Sequence, residues 1–251
     1  MNSSILVSGL ILGLFAILGT SIVGVTHDVT FSKIADNERL ATLRRLNQIL
    51  PHNHYDNDLL NTTITIAADD RLGQRAPSTV YIAKQQTQVS AMIFSVIAPR
   101  GYSGEIKMLI GVNMDGRVAG VRIVSHKETP GLGDAMEIER SDWVLSFNTR
   151  SLLNPDEKYW KVKRDGGYFD QFTGATITPR AVVQAVHLCL VYFDRHKQEL
   201  VDQYRQTQQK TVPERTVSER VLPQKQSENS TDKTEATTDE ENNSKNMSSR
   251  K

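Results

Sequence analysis

The distribution of apolar side chains divides the chain before any motif is considered. Residues 5–25, ILVSGLILGLFAILGTSIVGV, are almost wholly apolar, and the first 26 residues contain no Lys, Arg, Asp or Glu. As a helix this segment spans roughly 32 Å, enough for a hydrocarbon core of about 30 Å. The rival is a cleaved signal peptide, which needs a basic start and an A-x-A-like site. Met1 to Ser4 carries no basic side chain and no A-x-A follows, so residues 1–27 are assigned to a transmembrane anchor. From Asp36 to Leu50 the pattern turns amphipathic. Leu40, Leu43, Leu46, Ile49 and Leu50 fall near one face, and Pro51 stops the helix. Residues 28–54 are therefore expected to form a linker helix.

Strand patterns follow at 62–66, 80–84, 89–98, 106–114 and 117–125. The last two flank Asp115-Gly116, a dipeptide suited to a type I′ hairpin turn, in which both central residues take positive φ. A helix is predicted from Thr178 to about Tyr204, with Thr178 as N-cap and Pro179 in the first helical position. Its apolar stripe is Val182, Ala185, Val186, Cys189, Tyr192 and Phe193. Strands in the middle and a helix behind them give an α+β fold: a mainly antiparallel sheet with flanking helices. Residues 206–251 hold few large apolar side chains and no aromatic ring. They cannot offset the entropy of ordering a backbone, and a disordered polar tail is expected.

Composition removes several chemistries. The chain has 251 residues, 30 Lys+Arg against 29 Asp+Glu, and a single cysteine. A net charge of +1 gives no reason to expect a nucleic-acid partner. One cysteine, on an apolar stripe, excludes an internal disulfide, a CxxC zinc site and a Cys-ligated iron–sulfur cluster. Any redox chemistry must then come from an organic cofactor. Lys33, Arg39, Arg44 and Arg45 follow the apolar segment, but long domains cross membranes largely regardless of charge. The residues therefore leave sidedness open.

Two segments carry candidate chemistry. His126-Lys127-Glu128-Thr129-Pro130-Gly131-Leu132-Gly133-Asp134 follows a strand and reads as a tight turn or as a loop approaching a ligand closely. Asp170-Gln171-Phe172-Thr173-Gly174-Ala175-Thr176 runs into the predicted helix, whose unpaired N–H groups favour an anion. Elsewhere, His52 and His54 are read as surface-loop residues rather than metal ligands, and Lys158, Lys161, Lys163 and Arg164 as a solvated face. Trp143 and Phe147 are expected in the core.

Asp170-x-x-Thr173-Gly174-Ala175-Thr176 resembles the D-x-x-[S/T]-G-A-T acceptor motif of covalent FMN-binding domains. His126-x-Glu128-Thr129-Pro130-Gly131-Leu132-Gly133 resembles the second signature of the same domain. With the N-terminal span and the order of elements, residues 1 to about 205 resemble the G subunits of Rnf (or Rsx) ion-translocating electron-transport complexes. The C subunits of sodium-pumping NADH:quinone oxidoreductases are a sister group.

The resemblance implies that Thr176 carries FMN through a phosphoester installed by a separate flavin transferase. It also implies that Asp170, Thr173, Gly174 and Ala175 serve transferase recognition and flavin placement. Glu128, Thr129, Pro130, Gly131, Leu132 and Gly133 would line the flavin, and Thr178 would help hold the phosphate. The FMN-binding domain is then 55–205. It is expected on the periplasmic side of a bacterial inner membrane, among the other subunits of the complex and inactive alone. A flavin subunit of the quinone reductase, a flavin-free anchored assembly module and an independent flavin enzyme are the alternatives.

Overall fold

The computed structural model describes residues 3–211. It opens with one unbroken helix, α1 (Ser3–Ile49). The apolar segment and the expected linker helix are thus one element. Polarity changes after residue 27, yet no proline interrupts the sequence before Pro51, so nothing breaks the backbone. Side chains of residues 5–25 are exposed along the helix, apart from the rest of the fold. This helix is long and apolar enough to cross a membrane.

Five strands follow: β1 (Thr63–Ile66), β2 (Ser78–Gln85), β3 (Gln88–Ala98), β4 (Ile106–Asn113) and β5 (Val118–Ser125). They form one antiparallel meander in chain order. The fold is α+β. The β4–β5 turn differs from the type I′ expectation. Gly116 N–H bonds to the Asn113 carbonyl (2.9 Å) and only Gly116, not Asp115, has positive φ, at 83°. This is the longer hairpin in which a tight turn is followed by a left-handed glycine.

The sheet is buried on both faces, which explains why β3 is a continuous apolar run rather than an alternating one. Met92, Phe94 and Val96 point to one face, Ala91 and Ile93 to the other. The first face is covered by α2 (Ile177–Thr211). Val182, Val186, Cys189 and Phe193 lie fully buried there, with Phe193 edge-on to Phe94 at 6.2 Å. Burial pushes the Cys189 thiol well above its ordinary pKa, as for a small hydrophobe rather than a reactive group. α2 continues past Tyr204 to Thr211, so residues 206–211, expected in the polar tail, are helical. The remainder of that expectation, 212–251, lies outside the described residues.

The opposite face is covered by the last turns of α1, through Leu46, Ile49 and Leu50, and by Leu59 of the segment that follows. A Cβ on Gly120 would lie 3.1 Å from the Ile49 carbonyl oxygen, so the helix end sits directly on the sheet backbone. Arg122 of β5 donates to the Gln48 carbonyl (2.8 Å) and side chain (3.2 Å), satisfying acceptors that a helix C-terminus leaves open. The strand gripping α1 is thereby the strand that leads into the first motif.

Candidate functional site

Beyond β5 the backbone becomes irregular, running through short 3-10 turns until α2 begins. The first motif turns back at once. The Thr129 carbonyl accepts from Leu132 N–H (3.1 Å) and Gly133 N–H (3.0 Å). Glu128 is 4 % exposed and fastens three segments. Its carboxylate accepts from Ser103 N–H at 2.8 Å, from Tyr102 N–H at 3.3 Å and from the Thr178 hydroxyl. His126 Nδ1 accepts from Glu128 N–H at 3.0 Å. That bond puts the ring proton on Nε2, which lies 3.0 Å from Glu137. A Cβ on Gly133 would stand 2.7 Å from Glu128 Cβ, so only glycine fits there.

The second motif rests on aromatic rings. Trp143 meets Phe172 at 4.8 Å and Phe147 at 5.2 Å, and Phe147 stacks on Phe169 at 4.6 Å. Trp143 Nε1 donates to the Asp170 carbonyl at 2.8 Å. Phe147 is core, as expected, while Trp143 is half-buried and supports the loop. Ala175 N–H bonds to the Phe172 carbonyl (3.2 Å), and Gly174 takes φ 81°, a conformation glycine adopts at no steric cost.

The expected cap is displaced by two residues. α2 starts at Ile177, and the Thr176 carbonyl accepts the first helical bond, from Arg180 N–H at 3.4 Å. Thr176 therefore occupies the cap position. Thr178 lies within the first turn, fully buried. The cause is Glu128: the Thr178 hydroxyl is committed to its carboxylate and is not available as a cap.

The two motifs enclose a cleft of about 320 Å³. Glu128, Thr129, Leu132 and Gly133 line one side; Gly174, Ala175, Thr176 and Thr178 line the other. Tyr102 and Ile177 complete it. Pro130, Gly131, Asp170 and Thr173 are absent from the lining. Asp170 instead pairs with Lys163 Nζ at 2.6 Å, and Thr173 is exposed.

Charge enters from the turn Lys163–Asp165. Arg164 Nη1 lies 3.5 Å from Thr176 Oγ1. Asp165 holds Arg180 through two bonds of 2.6 Å, and that guanidinium keeps the Asp165 carboxyl below its ordinary pKa. Lys158, Lys161, Lys163 and Arg164 are all exposed, as the expected solvated basic face requires. Lys158 lies over the Tyr159 ring at 4.8 Å, and Arg164 in addition reaches Thr176 at the edge of the cleft. Elsewhere, His52 Nδ1 meets the Tyr55 hydroxyl at 2.8 Å. No group of three metal-ligating side chains occurs among the described residues.

Residues 101–191, which contain both motifs, match the FMN-binding domain family, and residues 1–49 match the RnfG N-terminal region. The chain is 48% identical to the G subunit of the ion-translocating oxidoreductase complex of Shewanella piezotolerans, over 80% of this chain and 95% of that one. The corresponding protein of Pseudomonas aeruginosa is 48% identical, covering 79% and 92%; that of Vibrio cholerae is 44% identical, covering 81% and 97%. The chain belongs to the family of ion-translocating oxidoreductase complex G subunits.

The cleft of this G-subunit family member suits FMN on its own chemistry. Leu132, Ile177 and Tyr102 expose large apolar surface around it, at 43 %, 44 % and 69 %, as a flat ring system requires. Thr176, in the lining, has the Arg164 guanidinium 3.5 Å from its hydroxyl, a pairing that suits a phosphate.

Proposed function

We propose that this chain is the electron-carrying flavoprotein subunit of a membrane-bound, redox-driven ion-translocating complex, with FMN joined to Thr176 Oγ1 by a phosphoester. One observation carries the reading. Thr176 presents its hydroxyl in the cleft between the two motifs, at the start of a 35-residue helix and beside Arg164.

Bound there, FMN supplies the exchange of one or two electrons between unlike carriers. The protein supplies the rest. Leu132, Ala175, Ile177 and Tyr102 line the cleft and would offer apolar surface to the ring. Glu128 holds the 102–103 backbone and the first turn of α2 in fixed relation, so both walls keep their spacing. Gly174 and Ala175 leave room beside the acceptor. The Thr176 position, ahead of the first helical residue, favours an anion.

α1 anchors the domain as a single span, with the flavin domain on the periplasmic side of a bacterial inner membrane. Neither motif is a nicotinamide or nucleotide-triphosphate fingerprint. Residues 5–25 carry no ionisable side chain for an ion path. Oxidation of a nicotinamide and passage of the ion therefore fall to other subunits of the complex, and the chain has no turnover alone. The relatives' names favour this complex over the sodium-pumping quinone reductase.

The test is full-length chain co-expressed with a flavin transferase, denatured and mapped by peptide mass. FMN mass on the Thr176 peptide supports the reading. No flavin on any peptide, with the transferase active on a control, supports an anchored assembly module instead.

A further inference from the structure

The turn that carries Arg164 lies outside both motifs and is fastened to the acceptor loop on several sides. Lys163 pairs with Asp170 at 2.6 Å, and its N–H reaches the Phe169 carbonyl at 2.7 Å. Arg164 N–H donates to Gln171 Oε1 at 3.2 Å. Asp165 holds Arg180, in the first turn of α2, through two bonds of 2.6 Å. Of the cations at this corner, Lys163 and Arg180 are thus matched by carboxylates within ion-pair distance. Arg164 forms no ion pair among the described residues, and its guanidinium points at the Thr176 hydroxyl, 3.5 Å away.

A phosphate esterified to two alcohols keeps a single acidic oxygen and one negative charge at neutral pH. One guanidinium without a carboxylate at contact distance matches that charge, and the planar fork suits phosphate oxygens better than an ammonium does. We propose that Arg164 is the counter-charge of the flavin phosphodiester at Thr176, held in place by the Asp165–Arg180 and Lys163–Asp170 pairs. This rests on the reading of Thr176 as acceptor. During loading, Thr176 Oγ1 bonds to the flavin-side phosphorus of a flavin dinucleotide. The pyrophosphate bond breaks, the nucleoside monophosphate leaves with the electron pair, and the threonine proton passes to solvent. Arg164 stabilises the diester as it forms and retains it afterwards.

The experiment uses full-length chain in detergent, incubated with transferase and a flavin dinucleotide. Covalent loading of wild type, R164K and R164Q is followed by peptide mass. Loading of R164Q is expected to be about tenfold slower, with R164K intermediate. Melting temperatures within about 2 °C of wild type would show the fold is kept. After prolonged loading, the phosphorus NMR resonance of wild type should stand apart from that of its own proteolysed flavin peptide. The R164Q resonance should move toward the peptide. Equal loading rates, or coincident wild-type and R164Q resonances, overturn the role of Arg164 alone. Absence of flavin from wild-type Thr176 overturns the acceptor reading, and this proposal with it.

Discussion

The two loops that face each other across the cleft are built on opposite principles. In the 126–133 loop two polar side chains, His126 and Glu128, are consumed by the fold. Glu128 is 4 % exposed and accepts from two backbone N–H groups and one hydroxyl, while His126 bridges its backbone to Glu137. In the 170–176 loop Thr173 and Gly174 are exposed and Thr176 is half-buried, with its hydroxyl reached, among the described residues, by Arg164 at 3.5 Å. A residue modified by another enzyme must be accessible, and a wall that sets a cleft's width must not move. Under the proposed function the first loop serves as scaffold and the second as the reactive surface. Substitutions in the scaffold should register as stability, and those in the reactive loop as chemistry.

The strongest way to break this contrast is Glu128→Ala. It leaves two N–H groups and a buried hydroxyl without their acceptor, and should cost about 3 kcal/mol. For a domain of this size that is a fall of about 10 °C in melting temperature by calorimetry. Thr178→Val keeps the shape and removes one bond to the carboxylate, and should cost about 1–2 kcal/mol in urea unfolding. Across the cleft, Gly174→Ala meets a positive φ of 81° and a Leu132 methyl 3.3 Å from the new Cβ, and should cost about 1 kcal/mol.

The smallest effect concerns the Asp165–Arg180 pair. Arg180 lowers the Asp165 pKa from 3.8, so the pair's contribution is fully present above that value. It is lost as pH falls below it, through the depressed folded pKa. Both partners are exposed and the gain is correspondingly small. Urea titrations of wild type and Asp165→Asn should differ at pH 6 and converge at the acid end. A constant difference would mean that the carboxylate charge is not what holds the turn.

The parts of the fold that repeat a simple period were legible in the sequence. The strands and α2 are periodic, and β3 was detectable because burial on both faces makes it continuously apolar. Loss of periodicity hid the rest. The β2–β3 connection turns at Gln86, with φ 57°, although no glycine or asparagine marks it. Asp115-Gly116 marked the right place but not the turn type, because register and twist choose among hairpins. α1 was divided at a change in polarity, whereas only a backbone feature ends a helix.

At the site, the motifs identified the residues but not how tightly each was tied down. Thr178 looked like a cap because nothing in its own segment reveals that Glu128, 50 positions earlier, takes its hydroxyl. Lys163 and Arg164 form the solvated face that the sequence suggested, but a charge run shows its partners, Asp170 and Thr176, only after folding. The pairing of Asp165 with Arg180 ties the turn to α2, where Arg164 reaches Thr176.

The most direct test of the central claim compares wild type and Thr176→Ala, both full-length and co-expressed with a flavin transferase. In-gel flavin fluorescence after denaturation and the melting temperature are measured on the same preparations. The account predicts a fluorescent wild-type band, no fluorescence from Thr176→Ala, and melting temperatures within about 3 °C, since only a partly exposed cap hydroxyl is lost. Denaturation-resistant flavin on Thr176→Ala, or a variant that unfolds as readily as Glu128→Ala, would contradict the assignment of scaffold to one loop and chemistry to the other.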